Sequence, residues 1–173
     1  MLKHIGIACA VVLLGGAVFM LCGCKEGKAS SERNEYTVGK DIAMSEIKDF
    51  YYTVDRPVNP PEFQRYRFTG KDGKYFFYHE KREGNTWPLE EKHITVSGTV
   101  ELSEQQWQEF FSYIQDGKVT SRNDNPKDGG GGPWTFLYWD KDSGKYQAFK
   151  FVNTGKKRSF EKFCSGLKQS KTE

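Results

Sequence analysis

The sequence predicts an α+β fold, a mostly antiparallel sheet of about six short strands with two amphipathic helices packed on it. Short turns join neighbouring strand candidates, and turns of this length connect antiparallel strands. Two later stretches carry apolar residues at helical spacing. No alternation of strand and helix occurs that is typical of a doubly wound nucleotide-binding sheet.

Six stretches rich in aromatic and β-branched residues predict the strands. They are residues 47–54, 63–69, 74–82, 93–102, 133–140 and 145–152. The fourth shows the clearest alternation of apolar and polar positions, which indicates one buried and one wet face. Residues 70–73 and 141–144 predict hairpin turns.

Two helices are predicted from capping residues followed by an apolar stripe. Ser103 with Gln106 fits a capping box, and Gly117 is expected to end the first helix. Ser159 is expected to cap the second helix. The two stripes consist of Trp107, Phe110, Phe111 and Ile114, and of Phe160, Phe163, Cys164 and Leu167.

The N-terminal segment has the pattern of an export signal. Lys3 and His4 are followed by an almost wholly apolar stretch over 5–21, which ends in Leu21-Cys22-Gly23-Cys24. This ending resembles the lipobox of bacterial lipoproteins, with Leu21 at −3, Gly23 at −1 and Cys24 as the invariant cysteine; Cys22 at −2 is less usual. The resemblance implies acylation of Cys24, cleavage between Gly23 and Cys24, and a membrane-anchored domain outside the cytoplasm. An uncleaved signal anchor is the alternative.

The expected organisation follows from this leader. Residues 1–23 are the signal peptide, 24–44 the lipidated cysteine and a flexible polar tether, 45–168 a single globular domain, and 169–173 a polar tail. Of four cysteines, only Cys164 remains for the domain, so no internal disulfide or thiolate metal site is expected. A net charge of +3 gives no reason to expect nucleic-acid binding. We expect no cofactor and no metal.

Aromatic residues make up 15% of the chain and are the most informative feature of the domain. Several strands are apolar on both faces, so the second face is covered by loops or displays aromatic side chains to a glycan, peptide or protein partner. The candidate binding residues are Tyr51, Tyr78, Trp87, Trp134 and Trp139.

Basic residues at the start of the second helix are a second candidate site. Lys156, Lys157 and Arg158 would suit an anion such as a lipid headgroup, teichoic acid or sulfate; a solvated basic loop is the alternative. The glycines of 129–132 lead into Pro133 and a strand, so a mobile loop is expected there rather than a phosphate cradle.

The predicted function is a non-enzymatic binding or interaction module on the outer side of the membrane. One alternative is a cell-envelope hydrolase in which His79 or His93 pairs with Glu80, Glu90 or Glu91. The other alternative is a purely structural envelope protein.

Overall fold

The computed structural model describes residues 35–122, 133–142 and 146–169, and its architecture is an antiparallel sheet with two α-helices on one face. The strands follow the order β1-β6-β8-β7-β2-β3-β4-β5 across the sheet. The elements are β1 (Glu35–Thr37), β2 (Ile47–Arg56), β3 (Glu62–Lys71), β4 (Lys74–Arg82), β5 (Ile94–Leu102), α1 (Glu104–Ile114), β6 (Lys118–Arg122), β7 (Trp134–Trp139), β8 (Tyr146–Lys150) and α2 (Thr154–Gln169).

The predicted α+β class is confirmed, but the described sheet has eight strands rather than about six. The two additional strands are β1 and β6. β1 has three residues, and in β6 only Val119 is apolar. Strands this short and polar give no local alternation, and they form because their backbones complete the ladder beside β8. The predicted leader, Cys24 and the glycine-rich loop lie outside the described residues.

The domain begins earlier than the expected boundary at Ser45. Val38 and Ile42 are fully buried, so the chain around them belongs to the core rather than to a tether. The Val38 N–H donates to the Gly117 carbonyl at 3.0 Å, and the Asp116 N–H donates to the Val38 carbonyl at 3.0 Å. Gly39, Lys40 and Asp41 separate Val38 from Ile42, so the segment shows no run of strand-like alternation that would signal burial. At the other end, α2 extends to Gln169.

The core lies between the helices and one face of the sheet. Phe50, Phe68 and Phe77 on the central strands are buried against Phe110 of α1 and Phe160 of α2. Phe68 and Phe110 stack with ring centroids 4.1 Å apart. Both predicted apolar stripes therefore face the sheet, although Phe111 and Phe163 are only partly buried. Neither described helix has the length and apolar composition needed to cross a membrane.

The capping box predicted for α1 is confirmed. The Gln106 N–H donates to Ser103 Oγ at 3.2 Å, and the Ser103 N–H donates to Gln106 Oε1 at 2.9 Å. The helix ends at Ile114, and Asp116 takes the positive φ of 66°. Gly117 is needed for a different reason, because a Cβ there would lie 2.3 Å from Phe149 Cε2. The glycine thus allows close packing of the turn on β8.

The predicted start of α2 is wrong. The helix begins at Thr154, and Asn153 Oδ1 accepts the Lys156 N–H at 2.8 Å. Ser159 therefore lies within the helix. Asparagine is as good an N-cap as serine, and Gly155 in the first turn led the sequence interpretation to place the helix start too late.

Candidate functional site

The face of the sheet opposite the helices carries the aromatic residues that suggested a binding surface. We call it the helix-free face. Strand register places Phe136, Tyr51, Arg67 and Tyr78 side by side across β7, β2, β3 and β4. Side chains directly opposite each other in neighbouring strands lie about 5 Å apart at Cβ. The row therefore places a guanidinium between two tyrosine rings.

Arg67 is held in this row by a bidentate ion pair. Its Nε donates to Asp49 Oδ1 at 2.9 Å and its Nη2 to Asp49 Oδ2 at 2.5 Å. Its guanidinium carbon lies 4.9 Å from the centroid of the Tyr51 ring. The hydrogen bond to Asp49 raises the pKa of Arg67. Burial, with the nearby Asp49 carboxylate, raises the pKa of Tyr51 to about 12. Both residues thus keep one protonation state at neutral pH.

The next row along the strands also brings a guanidinium group next to an aromatic ring. It consists of Trp134, Thr53, Arg65 and Glu80 on the same four strands. The Arg65 guanidinium carbon lies 5.6 Å from the Trp134 ring centroid and 5.2 Å from that of Phe63. Arg65 Nε donates to Thr53 Oγ1 at 3.3 Å. Within each row a guanidinium lies next to an aromatic ring, whereas along β7 the Trp134 and Phe136 rings contact each other, with centroids 5.1 Å apart.

A buried ion pair closes one end of the helix-free face. Arg82 Nε donates to Glu80 Oε1 at 2.6 Å, and the two side chains are 11% and 6% exposed. The Tyr78 hydroxyl donates to Glu80 Oε2 at 2.8 Å. Burial and this hydrogen bond to Glu80 raise the pKa of Tyr78. The carboxylate thus fixes both a guanidinium and a tyrosine ring.

The loop between β4 and β5 is tied to the same end. Trp87 Nε1 donates to Asp55 Oδ1 at 2.9 Å, and Asp55 is buried. Arg82 Nη1 donates to the Leu89 carbonyl at 2.8 Å, and the Leu89 side chain is buried. Trp87 thus lies on the helix-free face, but its polar group is already engaged in holding the loop.

Four of the five candidate binding residues share this face, and Trp139 does not. Trp139 is 1% exposed and packs in the core with Tyr36, at a ring separation of 5.2 Å. The prediction that Trp139 belongs to the binding surface was therefore wrong. Trp134 and Trp139 are five positions apart on one strand, so their side chains point to opposite faces. This odd spacing can be read from the sequence alone, so the sequence already excludes the two residues from a common face.

The helix-free face also carries residues that were not among the predicted binding residues. Arg65 and Arg67 alternate with the buried Tyr66 and Phe68. The sequence alone therefore places the two arginines on the opposite face of the strand. Tyr138 lies beside Tyr51, with ring centroids 6.3 Å apart. The contacts of Arg65, Arg67 and Tyr138 with aromatic rings depend on the pairing of β2 with both β3 and β7. No local sequence pattern reveals this pairing.

The three cations at the start of α2 do not converge on one point. Lys156 Nζ donates to the Ser112 carbonyl at 2.6 Å, near the end of α1. Lys157 Nζ lies 5.8 Å from the Tyr52 ring centroid, and Arg158 is exposed. Two of the three cations are thus engaged within the domain, which weakens the anion-contact hypothesis.

His79 and His93, the histidines within the described residues, do not form the acid-base pairs that a hydrolase would need. His79 is buried on the helix side against Tyr66, with ring centroids 5.4 Å apart, and no described group makes a hydrogen bond to its Nε2. His93 Nδ1 accepts the Glu90 N–H at 2.8 Å within a local turn. Among the described residues, no group of three or more His, Cys, Asp or Glu side chains is placed to hold a metal ion.

A cleft of about 590 Å³ opens beside α2, and its lining includes Tyr52, Gln64, Tyr66 and Glu161. The Tyr52 hydroxyl donates to Glu161, and Lys168 Nζ donates to the Tyr66 hydroxyl at 2.8 Å. Burial raises the pKa of both tyrosines. Both hydroxyls stay protonated at neutral pH, so they offer hydrogen bonds and are not poised as bases.

Comparison with known proteins gives no match to this chain, whether to a family model, a curated protein or a solved structure.

Proposed function

We propose that this chain is a lipid-anchored binding module outside the cytoplasm, which contacts its partner through the helix-free face. The observation that carries the proposal is the row of Tyr51, Arg67 and Tyr78, in which half-buried rings and a guanidinium are fixed in place. Side chains that are already ordered lose little conformational entropy on binding. Such a surface suits recognition by stacking and hydrogen bonding.

The charge balance of the face favours a neutral partner. Arg67 is paired with Asp49 and Arg82 with Glu80, so these guanidiniums carry little uncompensated charge. Flat rings flanked by oriented hydrogen-bonding groups complement a sugar ring, which has apolar C–H faces and a polar rim. We infer that an uncharged glycan segment of the cell envelope is the partner, in preference to a peptide or protein.

The lipid anchor rests on the lipobox resemblance at Leu21-Cys22-Gly23-Cys24. Two or more acyl chains on Cys24 make a stable attachment, because each buried methylene contributes about 0.8 kcal/mol. Cys24→Ala should abolish lipid labelling and leave the precursor uncleaved. Labelling that persists in this variant through Cys22 would contradict the assignment of Cys24.

The binding surface is testable with full-length protein in detergent and an insoluble envelope preparation treated with protease. We expect the protein to sediment with this material, and the double variant Tyr51→Ala/Trp134→Ala to bind at least about tenfold more weakly, since each lost anchor ring costs roughly 1 kcal/mol or more. Tyr113→Ala is the matched control, because Tyr113 lies on α1, away from the sheet face. Equal binding by the double variant would refute the surface, and binding only to untreated envelope would indicate a protein partner.

A further inference from the structure

Arg67 carries hydrogen-bond donors on the helix-free face that the described part of the domain does not use. Of the five N–H groups of a guanidinium, one on Nε and one on Nη2 are directed at Asp49. The two N–H groups of Nη1 and the second one of Nη2 remain. Among the described residues no group accepts a hydrogen bond from Nη1, and these residues do not enclose this atom either. The remaining donors are therefore open to a ligand.

The direction of these donors is fixed by Asp49. The Asp49 side chain is only 16% exposed, and it also accepts a hydrogen bond from the Tyr51 hydroxyl at 3.3 Å. A guanidinium is planar, so pairing through Nε and Nη2 leaves one N–H of Nη1 and one of Nη2 parallel to each other on the next edge of the plane. We call this pair of donors the Arg67 fork. Donors that are already aligned lose little entropy when they bind.

The Arg67 fork fits two acceptor oxygens that lie side by side, because parallel N–H groups of arginine bind such a pair in a bidentate manner. A carboxylate or phosphate offers two oxygens, but it would be repelled by the Asp49 carboxylate. Two hydroxyl groups on adjacent carbons of a sugar ring offer two oxygens without a charge. A lone hydroxyl group or an amide carbonyl offers only one.

We propose that the Arg67 fork binds two hydroxyl oxygens on adjacent carbons of a sugar ring, and that Asp49 is the positioning residue that aims the fork. The inference rests on the function proposed above, and it names the chemical feature of the glycan that the helix-free face recognises. Strand register places Tyr51 and Tyr78 on either side of Arg67. A sugar ring held by the fork brings its C–H groups to one of these two aromatic rings, so stacking and hydrogen bonding act on the same sugar.

Oxidation of the envelope material with periodate tests the inference, because periodate cleaves the carbon–carbon bond between two adjacent carbons that carry hydroxyl groups. Borohydride then reduces the resulting aldehydes, so hydroxyl groups remain but are no longer neighbours on a ring. Full-length protein in detergent should sediment with the protease-treated envelope preparation. Oxidation should weaken this binding at least about tenfold, because two hydrogen bonds to a charged group are lost. Material treated with borohydride alone is the control.

Two variants connect this loss of binding to the fork. Arg67→Lys keeps the positive charge but has no planar pair of donors, and Asp49→Asn removes the charge that holds Arg67. Both should bind untreated material at least about tenfold more weakly and should lose most of the difference between untreated and oxidised material. A purely structural defect would lower binding to both materials equally and leave their ratio unchanged. Arg56→Lys is the matched control and should keep the parent ratio, because Arg56 is similarly exposed and also pairs with a carboxylate, that of Glu62.

The outcomes distinguish failure of this inference from failure of the proposed function. Equal binding of the parent protein to untreated and oxidised material, or a parent ratio in Arg67→Lys, would overturn the inference and leave the glycan-binding surface intact. Binding that survives oxidation but is lost at high salt would indicate an anionic group at the fork and would also overturn the inference. A parent protein that does not sediment with untreated material would overturn both the inference and the proposed function.

Discussion

At the scale of single residues, His79 is a titratable side chain buried in the domain. Its ring packs on Tyr66, and its Nε2 has no hydrogen-bond partner among the described residues. Burial, together with the nearby Lys168 cation, lowers the pKa of His79 to about 4. Glu80 acts in the opposite direction, and Lys81 adds a smaller unfavourable charge. His79 is therefore neutral in the folded protein at pH 7, with a role in packing.

This environment predicts acid sensitivity. The folded-state pKa lies below the unfolded value of about 6.5, so the stabilisation is present above pH 6.5 and is lost as pH falls toward 4. Between pH 7.5 and 5 the loss from this residue should be about 2 kcal/mol. His79→Phe, which keeps a ring but cannot titrate, should remove this part of the pH dependence. Urea unfolding at both pH values measures the effect.

His93→Phe is the control, because His93 is a partly exposed residue in a local turn. It should retain the steep loss of stability between pH 7.5 and 5. An unchanged slope in His79→Phe would mean that the buried imidazole does not resist protonation.

At the scale of elements, the two helices show which local signals suffice. Ser103 and Gln106 satisfy each other's backbone N–H groups, and the sequence pattern alone predicts this arrangement. The start of α2 has two possible caps, Asn153 and Ser159, separated by a glycine and three cations. The helix begins at Thr154, and Lys156 in its first turn donates from Nζ to the Ser112 carbonyl near the end of α1. Such a contact between distant residues cannot be predicted from local spacing.

The cap of α2 gives a paired prediction. Asn153→Ala should reduce the free energy of unfolding by about 1 kcal/mol, because the N–H of Lys156 loses its acceptor. Ser159→Ala should be neutral or slightly stabilising, since alanine is the better residue inside a helix. Chemical denaturation of both variants checks the pair. A larger loss for Ser159→Ala would place the functional cap where the sequence alone suggested it.

At the scale of the whole molecule, the sequence predicts the fold class better than it predicts the extent of the domain. The hairpin at 70–73 depends on neighbouring residues and was predicted correctly. The alternation in β5 correctly predicted a strand, but the buried face expected for it was wrong at Ile94 and Val96, which are exposed, and of its apolar residues only Leu102 is buried. The pairing of β1 with β6, and of β2 with β7, joins residues far apart in the chain. The pairing of β2 with β7 brings Trp134 and Phe136 into the rows of rings and guanidiniums, so the binding surface was predicted only in part.

The early start of the domain predicts that residues before Ser45 carry stability. Ile42→Ala should reduce the free energy of unfolding by about 2–5 kcal/mol, as expected for a fully buried side chain. Val58→Ala, at a residue 51% exposed, should change it by less than about 0.5 kcal/mol. Denaturant midpoints of the full-length variants provide the comparison. Equal stability of the two variants would restore the view that residues up to 44 are a tether.

The strand order has a consequence for how the chain folds. β2, β3, β4 and β5 are consecutive both in the sequence and in the sheet, so their contacts close short loops. β1 instead pairs with β6, and this pairing joins Glu35 to Thr120, which lies far along the chain. Contacts between distant residues form more slowly because the loop closure costs entropy first. We expect β2, β3, β4 and β5 to pair early in folding and β1 to pair with β6 late. The end of the domain nearest the predicted anchor is then the last to fold, so attachment to a membrane leaves the early steps unhindered.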